Sequence, residues 1–173
     1  MKLSEHVNEL RNRIEAAFDK YLAINGIGVK QSSAPAGDDK RGKWQRFDAM
    51  LRSHQGETGD FASARLKLLD ELTFTLFNRF AAIKVMEAAS MFPPIMTRMV
   101  EHGGRSFGHK AWLEINPDMR GEDLEGIREY IKQAFDELGE TLPLYHKSYP
   151  YAFLPDSHSL NEIIDAFNAV EKD

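Results

Sequence analysis

Cysteine is absent from the 173 residues, so neither a disulfide nor a thiolate metal site can form. No apolar run approaches the ~20 residues needed to span a bilayer. The opening stretch MKLSEHVNELRNRIEAAF is studded with charges and has no apolar signal core. These absences lead us to expect a cytoplasmic protein without membrane contact. Recognised catalytic spacings are missing too: the six histidines include no HExxH-like helical pair, and no serine sits in a GxSxG elbow. Adjacent carboxylates such as Glu122/Asp123 and Asp136/Glu137 diverge on a helix and read as solvated charge. A hydrolase built on His102 and His109, seven residues apart across glycines, is the weakest of the functional candidates.

What is present is an ordinary globular composition, 42% hydrophobic and 28% charged, of a length that makes one domain. The net charge of −5 is unevenly spread. Residues 1–52 hold 10 Lys and Arg against 7 Asp and Glu, whereas residues 122–173 hold 4 against 12. A polyanion is therefore not expected on the C-terminal third.

Hydrophobic periodicity predicts a mainly α fold, a multi-helix bundle around one long central helix. Leu3, Val7, Leu10, Ile14, Ala17 and Tyr21 form a single helical stripe that stops at Asn25-Gly26. A polar, breaker-rich segment at about 30–43 reads as a mobile linker, and Trp44 to Leu51 as a short helix before a Gly56/Gly59 loop. From Asp60, a capping residue, the chain runs to about residue 91 without Pro or Gly, and Pro93-Pro94 ends it. Leu66, Leu69, Leu72, Leu76, Phe80 and Ile83 gather on its main face. Phe74 and Val85 lie on the other side, so neighbours are expected around this helix. IMTRMVEH suggests a further helix, and SFGHKAWLEI, near 106–115, one short β segment. GEDLEGIREYIKQAFDELG predicts a helix with Leu124, Ile127, Tyr130, Ile131, Phe135 and Leu138 inward. After a loop rich in aromatics and Pro, Asp156 or Ser157 caps a last helix carrying Leu160, Ile163, Ile164 and Phe167.

Two fragments imitate methyl-transfer or nucleotide signatures and fail on chemistry. NGIGV ends a helix instead of opening one after a strand, so it reads as a cap and turn. FPPI has Phe92 where a hydrogen-bond acceptor is needed and Ile95 where a stacking ring is needed. The strongest binding signal is DKRGKWQR: Lys40, Arg41, Lys43 and Arg46 flank Trp44, suited to phosphates and an exposed base. The competing assignment is a charged segment running into a helix whose Trp44 docks in the core. Tyr145, Tyr149, Tyr151 and Phe153 form either a partner-docking loop or one packed on its own domain.

LFNRFAAIKVME places Asn78 and Arg79 inside an oily helix, where each needs a partner. Asn78 falls near Phe74 and Val85, which suggests an interhelical contact for its amide.

The run Leu76-Phe77-Asn78-Arg79, continuing into Ala82-Ile83-Lys84-Val85-Met86-Glu87, resembles the N-terminal helical region of adenine-specific DNA methyltransferases of the BREX phage-growth-limitation type and related type II restriction-modification methylases. The Asn25-Gly26-Ile27 turn and the Leu142-Pro143 and Phe153-Leu154-Pro155-Asp156 pieces agree in order. Residues 93 to 121 depart from that pattern, and Leu76 stands where many members carry an aromatic. The resemblance implies an amino-terminal accessory domain over 1–173, with DNA and defence-system proteins as partners. It also implies a methyltransferase domain beyond Asp173 that carries the S-adenosylmethionine loop and the catalytic Asn-Pro-Pro-Tyr turn, both missing here. No cofactor, metal ligand or catalytic residue is then expected in this chain itself, and Asn78 and Arg79 become structural or interdomain positions. The alternative is a stand-alone helical interaction module without enzymatic activity.

Overall fold

The computed structural model describes residues 2–170. The fold is mainly α, as the periodicity predicted, and six α-helices carry it: α1 Leu3–Ile24, α2 Asp38–Thr58, α3 Phe61–Ala88, α4 Phe107–Ile115, α5 Ile127–Gly139 and α6 Ser157–Val170. Strands β1 (Arg98–Met99) and β2 (Arg105–Ser106) pair antiparallel. Among the described residues, no helix is long and apolar enough to cross a membrane.

The long helix α3 is the organising element. Asp60 caps it by accepting a hydrogen bond from the Ser63 amide at 2.8 Å. Its buried face, including Leu68, Leu72, Leu76, Phe80 and Ile83, packs on α1 and α2. Phe80 lies 5.7 Å from the rings of both Phe135 on α5 and Phe167 on α6, which ties the bundle's two halves together. The second apolar side is not covered: Phe74 and Val85 are exposed. Leu66, expected on the main face, is exposed as well, and Ala64, Arg65 and Leu68 take the inward positions of that turn. Arg65 is admitted because Asp19 accepts from its guanidinium at 2.6 Å and the Ile27 carbonyl at 3.2–3.3 Å.

Four expectations about element boundaries are corrected. The segment assigned to a linker ends earlier, because α2 begins at Asp38 and not at Trp44. Asp38 and Asp39 in its first turn complement the helix dipole, and Gly56 lies inside the helix with the stop at Gly59. Phe107–Ile115 is a helix and not a strand: the Ser106 hydroxyl accepts from the His109 amide at 3.1 Å, and Trp112 and Leu113 turn inward together. Only Arg105–Ser106 of that region is β. The region of IMTRMVEH is not an α-helix: Arg98–Met99 is strand and Val100–His102 is 3-10, because side-chain acceptors hold the amides that lead into it. Glu87 accepts from the Met96 amide at 2.7 Å, and Asn168 from that of Arg98 at 3.0 Å. Finally, α5 starts at Ile127, since Leu124, Glu125 and Gly126 have φ of 50°, 54° and 65°. That turn is held from outside: Arg105 grips the Glu125 carboxylate at 2.9–3.0 Å, and His109 Nε2 bonds the Glu125 carbonyl at 2.8 Å.

Candidate nucleic-acid interface

The basic stretch DKRGKWQR occupies the first turns of α2. Helical spacing sends its side chains in different directions, and the structure separates them by role. Lys40 and Arg41 are exposed, whereas Lys43 pairs with Asp39 at 3.4 Å and lies 5.9 Å from the Tyr21 ring centre. Trp44 is half-buried against the core. Its indole N–H donates to the Ser32 hydroxyl at 2.8 Å, and that hydroxyl donates to Asp48 at 2.7 Å. The indole edge is thus committed to holding the 25–35 turn against α2. Arg46 extends over the Phe153 ring at 4.3 Å and makes no ion pair among the described residues.

Arg79 resolves the oddity of the central helix. It is buried, and its guanidinium reaches the loop before α6. Nε donates to the Leu144 carbonyl at 2.9 Å and Nη2 to that of His146 at 3.4 Å. The rings of Phe135, Tyr145 and Tyr149 surround it at 5.2–5.8 Å. In return the Tyr145 hydroxyl donates to the Arg79 carbonyl at 2.6 Å. Burial lowers the guanidinium's proton affinity, opposed by the neighbouring Tyr145, Tyr149 and Asp136. Burial also pushes the Tyr145 phenol up to about 12, so it stays a neutral donor. The aromatic loop therefore packs on its own domain through Tyr145, while Tyr149 is partly exposed.

Asn78 differs from its neighbour. It is half-buried, and the interhelical hydrogen bond expected of its amide is missing among the described residues. Asn78→Leu is expected to change stability by no more than about 0.5 kcal/mol in thermal melts. A loss above ~1 kcal/mol would show that the amide has a partner after all.

Arg46 and Arg79, 33 positions apart, line one small cavity together with Lys132, Lys147 and Asp136. Lys40, Arg41, Lys43, Trp44 and Asn78 do not line it. Sequence reasoning missed Lys132 and Lys147 because they stand in the acidic third, where charge counting argued against an anion. No local signal marks them. The histidines do not assemble into a centre: His109 is buried with its ring stacked on Tyr130 at 4.9 Å, and burial holds its pKa below the ordinary value. Among the described residues, no cluster of His, Asp and Glu is arranged to hold a metal ion.

No protein-family model, curated protein or solved structure matches this chain.

Proposed function

We propose that this chain is a helical accessory domain of an S-adenosylmethionine-dependent DNA adenine-N6 methyltransferase in a cytoplasmic phage-defence or restriction-modification system. It helps position DNA or dock the downstream catalytic domain and defence-system partners, and binds no cofactor itself. The observation that carries this proposal is the Leu76–Glu87 motif in the C-terminal half of α3, with a cationic turn presented separately on α2. In that motif Arg79 clamps the C-terminal loop to the central helix, a structural task that suits a non-catalytic segment. Exposed Lys40 and Arg41 supply the sequence-independent attraction to phosphates.

Immunoprecipitation from the source cells, with an antibody to this chain, tests the proposal. A native species far above 19.7 kDa that transfers a labelled methyl group from S-adenosylmethionine to adenine in unmethylated DNA is the expected result. A 19.7 kDa species without methyl transfer would overturn it. For the isolated chain, duplex binding should fall steeply with salt. Lys40→Glu with Arg41→Glu should weaken it equally on all sequences and flatten the salt dependence by about two charges' worth. A stand-alone interaction module is the second assignment, favoured by the uncovered side of α3 where Phe74 and Val85 are exposed around half-buried Asn78.

A further inference from the structure

The cavity shared by Arg46 and Arg79 has a charge composition that the fold does not balance. Four cations line it, Arg46, Arg79, Lys132 and Lys147, against one carboxylate, Asp136. None of the four makes an ion pair among the described residues, Asp136 included as a candidate partner. Arg79 lines the cavity at 4% exposure; its hydrogen bonds use Nε and Nη2, and among the described residues Nη1 has no acceptor. A buried guanidinium without a directly paired carboxylate is costly, and a free N–H pair at a cavity wall is the geometry that an oxyanion satisfies. Exposed Arg46, Lys132 and Lys147 rim the mouth. Phe135, Tyr145 and Phe153 also line the cavity, and next to buried Arg79 electrostatic attraction is stronger than in open water.

From this arrangement we propose that the cavity is a binding site for a phosphate monoester dianion or inorganic phosphate. Four cations against one carboxylate suit a dianion better than a single carboxylate ligand. The cavity's roughly 170 Å³ is below the ~300–1,000 Å³ typical of pockets for drug-sized ligands, so it admits a phosphoryl group and excludes a whole nucleotide. The phosphoryl group can come from free phosphate or from the terminal phosphate of a nucleic-acid strand. Neither source needs an attached methyltransferase domain.

The test is calorimetric titration of the chain with inorganic phosphate, against chloride at equal ionic strength. Saturable binding is expected, and Lys132→Ala with Lys147→Ala should weaken it at least ~10-fold. Because both lysines are exposed, the double variant should melt like the parent in phosphate-free buffer. Phosphate and chloride giving the same heats, or a double variant that binds phosphate as the parent does, would overturn the site. Competition by short oligonucleotides separates the sources. Displacement by a 5′-phosphorylated strand but not its 5′-hydroxyl counterpart is the result expected for a terminal phosphate, and displacement by neither is that expected for free phosphate. Equal displacement by both would overturn the monoester assignment in favour of backbone contact. Lys40 and Arg41 lie outside the cavity, so failure here leaves the duplex-binding test on those residues intact.

Discussion

Arg79→Ala should cost about 3–4 kcal/mol of folding stability and lower the melting temperature by roughly 10 °C. Truncation removes the donors to the Leu144 and His146 carbonyls and takes the cation from among three aromatic rings. It also leaves a void where α3 meets the loop before α6. Desolvation of the guanidinium works in the opposite direction, since an uncharged replacement no longer carries that cost. The hydrogen bonds and packing should win, because two carbonyls lose their partners at once and the aromatic cage collapses incompletely. Arg79→Lys should not restore the parent's stability: a single ammonium cannot span both carbonyls while lying flat against the rings. Equilibrium urea unfolding measures the difference directly. A loss below ~1 kcal/mol would mean that water satisfies the freed carbonyls and that desolvation had been cancelling the gain.

Gly26→Ala should be nearly as damaging, about 3 kcal/mol, for a reason that involves no charge. Gly26 has φ +93°, a conformation that a Cβ makes unfavourable by itself. An added Cβ would also run into the Ser33 carbonyl oxygen and come within 2.8 Å of the Trp44 ring and 3.0 Å of Pro35. Backbone cannot yield to such a contact as the end of a flexible side chain can. The strain should propagate to the Trp44–Ser32–Asp48 hydrogen-bond chain and loosen the first turns of α2, which a shift in tryptophan emission would record. Gly59→Ala is the control. It has φ +86° with nothing within 4 Å of the added Cβ, so only the conformational cost of about 1 kcal/mol remains. If the two variants melt alike, steric contact at Gly26 is not the cause.

Much of the bundle was legible because its helices carry one dominant periodic face. The α1 stripe is buried from Leu10 to Tyr21, whereas its predicted start at Leu3 is exposed and Val7 half-buried; the α3 face from Leu69 to Ile83 and the α6 positions Leu160, Ile163, Ile164 and Phe167 are all buried. The Asn25-Gly26 stop and the Asp60 cap are local backbone chemistry, and both appear where their residues predicted. Errors gathered where a distant side chain chooses among backbone states of similar energy. Residues 96–98 do not continue as a helix because Glu87 and Asn168 accept their amides. The turn at Leu124–Gly126 is left-handed where Arg105 and His109 hold Glu125 from 16 to 20 residues away.

The functional residues divide in the same way. Lys40, Arg41, Lys43, Trp44 and Arg46 were visible as one cluster because they are adjacent in sequence, but adjacency is not co-direction on a helix. The fold sends Trp44 toward Ser32, Lys43 toward Asp39 and Arg46 toward Phe153. By itself the sequence determined that the protein is helical, where its central helix lies, and that Arg79 inside that helix required an explanation. Tertiary structure alone decided the partners of Arg79 and brought Arg46, Lys132 and Lys147 to one cavity with it. The physical reason is range. Periodicity and capping act within a few residues, whereas a buried charge is satisfied by whatever the whole chain folds around it.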